Sequence, residues 1–318
     1  MFKLAGSRVW IAGATGMVGR ALTRRLASEQ CELVAPPARI DLRDQHAAFA
    51  WIASARPDFI FLAAARVGGI LANRDRPAEF LYDNLVIQAN VIEGARRAKV
   101  SRLVAIGSSA SYPAEAAQPI SESALLTGPL DPAHEGYSIA KIAGIKLCQT
   151  YRRQYGCHFI ATQPTNLYGP HDNFDAEGSH VLAGLMRKAH EAKLASAGSF
   201  ELWGSGKPLR EFLYVDDFAN ALVFLAQRYD GEEPVNVGSG EEVSIADLAR
   251  LVADVVGFSG GLTLDATRPD GVQRKALDSS RLSALGWRPA TLLTRGLKET
   301  YRWYCNEGPG RGPNRPGG

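Results

Sequence analysis

The chain lacks the marks of several protein classes. It has no large excess of one charge: 36 Lys and Arg stand against 33 Asp and Glu, a formal net charge of +3. Nucleic-acid proteins usually carry a strong basic excess or a basic stripe, so basic residues here are expected to act locally, on phosphates. Cysteine is scarce: Cys31, Cys148, Cys157 and Cys305 are scattered, with no close pair at metal-ligand spacing. No metal site is expected, and the scatter predicts a reduced, cytoplasmic protein. No run of about 18 apolar residues occurs, so no membrane span is expected. The first sixteen residues run straight into a strand and turn, with no signal peptide visible. Low complexity is confined to residues 308–318, whose Gly and Pro content predicts a disordered tail.

What remains is an ordinary globular composition, 46% hydrophobic over 318 residues, enough for one large or two closely joined domains. Short apolar runs at 8–12, 32–35, 59–62, 102–106 and 159–163 alternate with helical patterns, notably 17–28, 77–98 and 136–155. This alternation predicts an α/β fold: a Rossmann-type, doubly wound parallel sheet with helices on both faces. Beyond residue 165 the rhythm loosens. A smaller C-terminal α/β unit is expected from 181–193 and segments near Trp203, 244–256 and 262–278, with Ser244-x-x-Asp247 as a capping box.

Gly13-Ala14-Thr15-Gly16-Met17-Val18-Gly19 lies between the first strand and the first helix. Glycines there permit a tight turn, close approach of backbone to a pyrophosphate, and close packing of helix on sheet. An NAD site usually ends the second strand with Asp or Glu for the ribose hydroxyls. Here the strand end reads Val34-Ala35-Pro36-Pro37-Ala38-Arg39, with no acid. Arg39 suits a 2′-phosphate, which favours NADP, and Asp41-Leu42 can flank the adenine. The plainer reading leaves Arg39 on a solvated loop.

Ser108, after the fourth strand, joins Tyr137 and Lys141. Residues i and i+4 share a helix face, so Lys141 can lower the Tyr137 phenol from about 10 and hold the ribose. Tyr137 then donates a proton near neutrality, and Ser108 polarises a carbonyl. A Tyr-x-x-x-Lys pair alone is cheap. Its place downstream of a Ser-rich strand end and a glycine turn makes it specific.

The chain resembles the extended short-chain dehydrogenases and, among them, the GDP-L-fucose synthases. The residues that carry this run from Ala63-Ala64-Ala65-Arg66-Val67-Gly68-Gly69-Ile70 through Gly107-Ser108-Ser109 to Tyr137-Ser138-Ile139-Ala140-Lys141. They continue in Pro164-Thr165-Asn166-Leu167-Tyr168-Gly169-Pro170-His171-Asp172-Asn173-Phe174, Ser179-His180-Val181, Trp203-Gly204-Ser205-Gly206 and Arg210-Glu211-Phe212. The resemblance implies NADPH-dependent epimerisation and reduction of GDP-4-keto-6-deoxy-D-mannose to GDP-L-fucose by a homodimer. Proton transfer at carbons 3 and 5 precedes hydride delivery to carbon 4. It implies His180 as one member of an acid–base pair. Ala64, Ile106, Gly107, Ser109, Lys141, Pro164, Thr165, Asn166, Leu167 and His180 would line the cofactor cleft, and Lys188, Trp203, Arg210 and Asp270 the GDP-sugar. The expected division is an NADP-binding domain over 1–165, with about 210–240 returning to it, and a mainly substrate-binding domain over 166–307.

Two positions depart from the family. Where it has Ser-Ser-Cys, this chain has Ser108-Ser109-Ala110, and alanine carries no proton. Thr15 stands where an arginine often meets the 2′-phosphate. Three other readings stay open: a 4-reductase without epimerase activity, an NAD-holding nucleotide-sugar 4-epimerase, and a non-catalytic cofactor-binding scaffold. A dehydratase is disfavoured, because the Asp-Glu pair its chemistry needs is absent.

Overall fold

A computed structural model describes residues 2–176, 178–265, 267 and 270–310. The first half alternates: β1 (Arg8–Ala12), α1 (Met17–Leu26), β2 (Glu32–Val34), α2 (Gln45–Ala55), β3 (Phe59–Leu62), α3 (Ile70–Asp75), α4 (Pro77–Arg97), β4 (Arg102–Ile106), α5 (Glu135–Tyr155) and β5 (Phe159–Pro164). The second half runs β6 (Asn166–Tyr168), α6 (Val181–Leu194), β7 (Ser199–Trp203), β8 (Leu209–Tyr214), α7 (Val215–Arg228), β9 (Val235–Val237) and β10 (Glu242–Ser244). It closes with α8 (Ile245–Val256), β11 (Gly261–Asp265), β12 (Arg274–Lys275), α9 (Ser280–Ala284) and α10 (Leu293–Asn306).

Six parallel strands make the main sheet in the order β2-β1-β3-β4-β5-β9. Residues of β3 are buried along its whole length, Phe-Ile-Phe-Leu, because helices cover both faces and no alternation is needed. Side chains from α1 and α7, among them Leu22, Leu26, Phe218 and Leu222, fill one face against Val9, Phe61 and Val104. Ile52 of α2, Val91 and Ile92 of α4 and Cys148 of α5 fill the other against Trp10, Ile60 and Leu103. Successive strands run outward in opposite directions from β1 and β3. A crevice therefore opens beyond their carboxyl ends, where ligands bind in such sheets.

The second core belongs to the smaller unit, where α6, α8 and α10 pack on β7 and β8. At its centre β8 pairs with β6, β10 and β12, and β7 pairs with β11. The predicted cap is present: Ser244 Oγ accepts the Asp247 N–H at 3.0 Å. Of the expected tail, Gly308 closes back by donating its N–H to the Trp303 carbonyl at 3.0 Å, and 311–318 lie outside the described residues. None of the described helices is long and apolar enough to cross a membrane.

Candidate active site

The glycine turn sits at that crevice and is built without room for side chains. A Cβ on Gly13 (φ +94°) would lie 2.6 Å from the Ala64 nitrogen, in the loop after β3. One on Gly19 would lie 2.1 Å from the Gly13 oxygen. Gly16 caps α1 with no side-chain cap bond, and the helix has no acid in its first turn. Its first amides are thus left to an anion, which is the fit a dinucleotide's pyrophosphate requires. Met17 and Val18 pack partly against the core behind this turn. Thr15 is exposed, and its carbonyl accepts from Arg20 Nε at 3.0 Å.

Past β2, Arg39 is exposed and makes no ion pair among the described residues. Asp41 is engaged: Arg43 grips it at 2.7 Å, which lowers its carboxyl to about 2. Arg43 also reaches Asp83 of α4 at 3.2 Å, and Asn90 of α4 donates to the Leu42 carbonyl at 2.9 Å. The adenine-side loop is therefore tied to α4.

Ser108, Tyr137 and Lys141 meet at the carboxyl end of β4. Ser108 caps a short 3₁₀ turn, Ser109–Ser111, by accepting the Ala110 N–H at 3.1 Å. Gln163 Oε1 accepts the Ser108 N–H at 2.9 Å, and a Cβ on Gly107 would crowd that same amide oxygen at 2.6 Å. Ser138 Oγ donates to the Ala110 carbonyl at 2.8 Å, pinning α5 to the turn. Lys141 is 4% exposed and donates to the Ile106 carbonyl at 2.8 Å, with its ammonium 5.7 Å from the Tyr137 ring centre.

Burial draws Lys141 down to about 8 and pushes the Tyr137 phenol up to about 12, the nearby Ser108 hydroxyl offsetting only part of that rise. Lys141 thus spends its proton on the Ile106 carbonyl, and desolvation outweighs the expected lowering of the phenol. Tyr137 stays protonated at neutral pH, as a proton donor must.

His180 caps α6, its ring 46% exposed, and its Nδ1 lies 3.8 Å from the nearly buried Asp172 carboxylate. That carboxylate holds the imidazole above its ordinary range. No thiol reaches this region. Cys148 lies in the core under α4 and α5, and Cys157 packs partly against the same core. Ser111 is wholly buried, so its hydroxyl cannot meet a ligand. Pro164 ends β5, and Thr165 and Asn166 both donate to the Glu211 carbonyl, at 3.0 and 2.9 Å. Leu167 follows in β6 and packs against the main core.

In the smaller unit, Lys188 Nζ stands 4.7 Å over the Trp203 ring and donates to the Glu201 carbonyl at 3.1 Å. Asp270 accepts from the Ser205 N–H at 2.8 Å and the Ser205 hydroxyl at 2.6 Å, which lowers its carboxyl. Arg210 is registered directly opposite Lys275 across the β8–β12 pair. Two cations side by side, with Asp131 acting on both, leave Lys275 at about 8, chiefly through burial. Lys275 was not legible in sequence, because its two-residue strand has no periodicity of its own. Its signal was the two cations of Gln273-Arg274-Lys275 following Asp270.

The profile of the NAD dependent epimerase/dehydratase family matches residues 9–238. The chain belongs to this family. Among family members, a GDP-L-fucose synthase of Sinorhizobium fredii (strain NBRC 101917 / NGR234) is 54% identical over 96% of this chain and 98% of its own length. The GDP-L-fucose synthase of Escherichia coli (strain K12) is 46% identical, over 95% and 97%. A GDP-L-fucose synthetase from Naegleria fowleri, solved with NADP, superposes with a TM-score of 0.89 at 30% identity, covering 95% of this chain and 94% of its own. A GDP-mannoheptose C4 reductase from Campylobacter jejuni, solved with NADP, superposes at 0.84 with 34% identity, over 94% and 98%.

Proposed function

We propose that this epimerase/dehydratase-family protein is an NADP-dependent nucleotide-sugar oxidoreductase that converts GDP-4-keto-6-deoxy-D-mannose to GDP-L-fucose. The observation that carries the reading is the meeting of Ser108, Tyr137 and Lys141 beside a glycine cradle shaped for a dinucleotide. Bound NADPH supplies the hydride for carbon 4. The α1 amides and Arg39 would hold its phosphates, and Lys141 its ribose. Tyr137, kept as a phenol by its surroundings, gives a proton to the carbon-4 oxygen while Ser108 donates a hydrogen bond to the same atom. Arg210 and Lys275 suit the substrate's diphosphate, and Trp203 offers a face for packing. Asp270, occupied by Ser205, fixes the Trp203–Gly206 loop rather than standing free for a ribose.

Before reduction, the ketone acidifies the protons on carbons 3 and 5, and His180 is the group that moves them. Ala110 favours a second reading, a 4-reductase without epimerisation, since a two-face inversion needs a second proton carrier. Water is the carrier left if inversion proceeds. The enzyme works in the cytoplasm as a homodimer, paired through the outer faces of α4 and α5, where Tyr82 is 63% and Ile139 41% exposed. Incubating the protein with GDP-4-keto-6-deoxymannose and NADPH tests the reading: NADPH is consumed and a reduced GDP-6-deoxyhexose forms. No consumption with this substrate overturns it.

A further inference from the structure

Asp172 stands outside the chemistry described so far, and its surroundings give it no structural reason to be charged. Its side chain is 6% exposed. Its Oδ1 accepts the Asn173 N–H at 2.8 Å, and its Oδ2 is buried without a hydrogen-bond donor among the described residues. A buried carboxylate left half satisfied is costly unless a cation stands beside it. Among the described residues the one group so placed is His180, whose Nδ1 lies 3.8 Å from Oδ1, at ion-pair rather than hydrogen-bond separation. Conversely, the His180 ring, half exposed at the cap of α6, has no other side-chain partner among the described residues. The loop is held from behind: His171, at φ 69°, packs its ring 4.5 Å from Trp303, so Asp172 is presented toward α6 by a fixed turn.

Other charged groups near this corner are committed elsewhere. Arg66, before the glycine pair that abuts Ser179, is paired with Glu79 and Asp83. On α6, Arg187 pairs with Glu191 and Lys188 lies by Glu201. Asp175 is exposed on the same loop. Of all these, Asp172 is the one that acts on the charge of the His180 ring, and it favours the protonated form.

We infer that Asp172 is a positioning residue for His180: it takes the Nδ1–H side of the ring and leaves Nε2 as the nitrogen that exchanges protons with sugar carbons beside the ketone. This rests on the epimerase half of the proposed function. In the step, the C–H electron pair moves into the enediolate and the proton becomes N–H on Nε2. The imidazolium then rests against the Asp172 carboxylate until Nε2 loses its proton to water or back to carbon. An asymmetric arrangement of this kind fixes the neutral tautomer as well as the basicity.

Nitrogen-15 NMR of the histidine side chains in the full-length protein tests this, with His180→Asn assigning one resonance pair among six histidines. In the wild type the neutral His180 ring carries its proton on Nδ1. It also titrates at higher pH than in Asp172→Asn. A neutral ring protonated on Nε2 in the wild type overturns the inference, whether or not Asp172→Asn folds. So does an unchanged midpoint in a folded Asp172→Asn. Solvent deuterium uptake at carbons 3 and 5 gives the second readout: Asp172→Asn loses about tenfold or more, and its acid limb moves to lower pH. If the wild type itself takes up no deuterium, the epimerase reading fails, while ring tautomer and titration still decide the role of Asp172.

Discussion

At the scale of single residues, the site is a set of groups whose proton affinities are set by burial. Tyr137 is a phenol at every pH the cell reaches, so its loss is a loss of acid alone. Tyr137→Phe is expected to lower carbon-4 reduction by roughly 10²–10⁴ while cofactor affinity, read by fluorescence titration, is kept. Lys141 titrates at about 8 in the fold and at 10.5 when free, so between those values the unfolded chain binds more protons and stability rises with pH. The stability of wild type relative to Lys141→Met should therefore improve by roughly 2–3 kcal/mol from pH 8 to pH 10.5. Denaturant unfolding across that window checks it, and a flat difference would mean that the ammonium is solvated.

Much of this scale was legible beforehand. Ser108, Tyr137 and Lys141 could be named because i,i+4 spacing and the strand end are local patterns, and they do converge. Asp172 as a partner of His180, Gln163 as the acceptor under Ser108, and Lys275 as the neighbour of Arg210 were not. Each depends on a contact between segments distant in sequence, or on a turn whose direction no periodicity encodes. The Tyr137 phenol shifts up rather than down: sequence spacing shows the Lys beside the phenol but not the depth at which both lie.

At the scale of elements, helices meet through glycine where side chains leave no gap. A Cβ on Gly144 of α5 would lie 2.1 Å from the Gln88 amide oxygen of α4, the same side chain whose nitrogen donates to the Ala140 carbonyl at 2.9 Å. Gly144→Ala is expected to cost about 1–3 kcal/mol of stability by overpacking, and Gln88→Ala should recover part of it in the double variant. Additive effects in calorimetry would contradict that contact. Gly19→Ala drives a methyl into the Gly13 carbonyl, so it should abolish NADP binding. The strand rhythm of the first half was readable to within two residues, because buried parallel strands are continuous apolar runs. The short strands of the smaller unit were not, since β10 and β12 exist through pairing with β8 rather than through their own composition.

At the scale of the whole molecule, two cores face one cleft and share a buried hub. Glu211 of β8 is fully buried: its carboxylate accepts the Gly240 and Leu277 N–H groups at 2.8 and 2.9 Å, and its carbonyl takes Thr165 and Asn166. Cofactor loop and smaller unit are thus anchored on one residue. Glu211→Gln sets an amide N–H against a backbone N–H, so it should lower stability by about 1–3 kcal/mol and weaken cofactor and substrate binding together. An effect on only one of the two affinities would argue against a shared anchor.

The central claim is that this cleft reduces a GDP-4-keto sugar and that His180 moves protons beside the ketone despite Ala110. Reaction with GDP-4-keto-6-deoxymannose and NADPH in deuterated water, with the product resolved by NMR, tests it most directly. The account predicts GDP-L-fucose carrying deuterium at carbons 3 and 5. A reduced product without deuterium at either carbon would contradict it, and would make the protein a 4-reductase in which Ala110 has ended epimerisation.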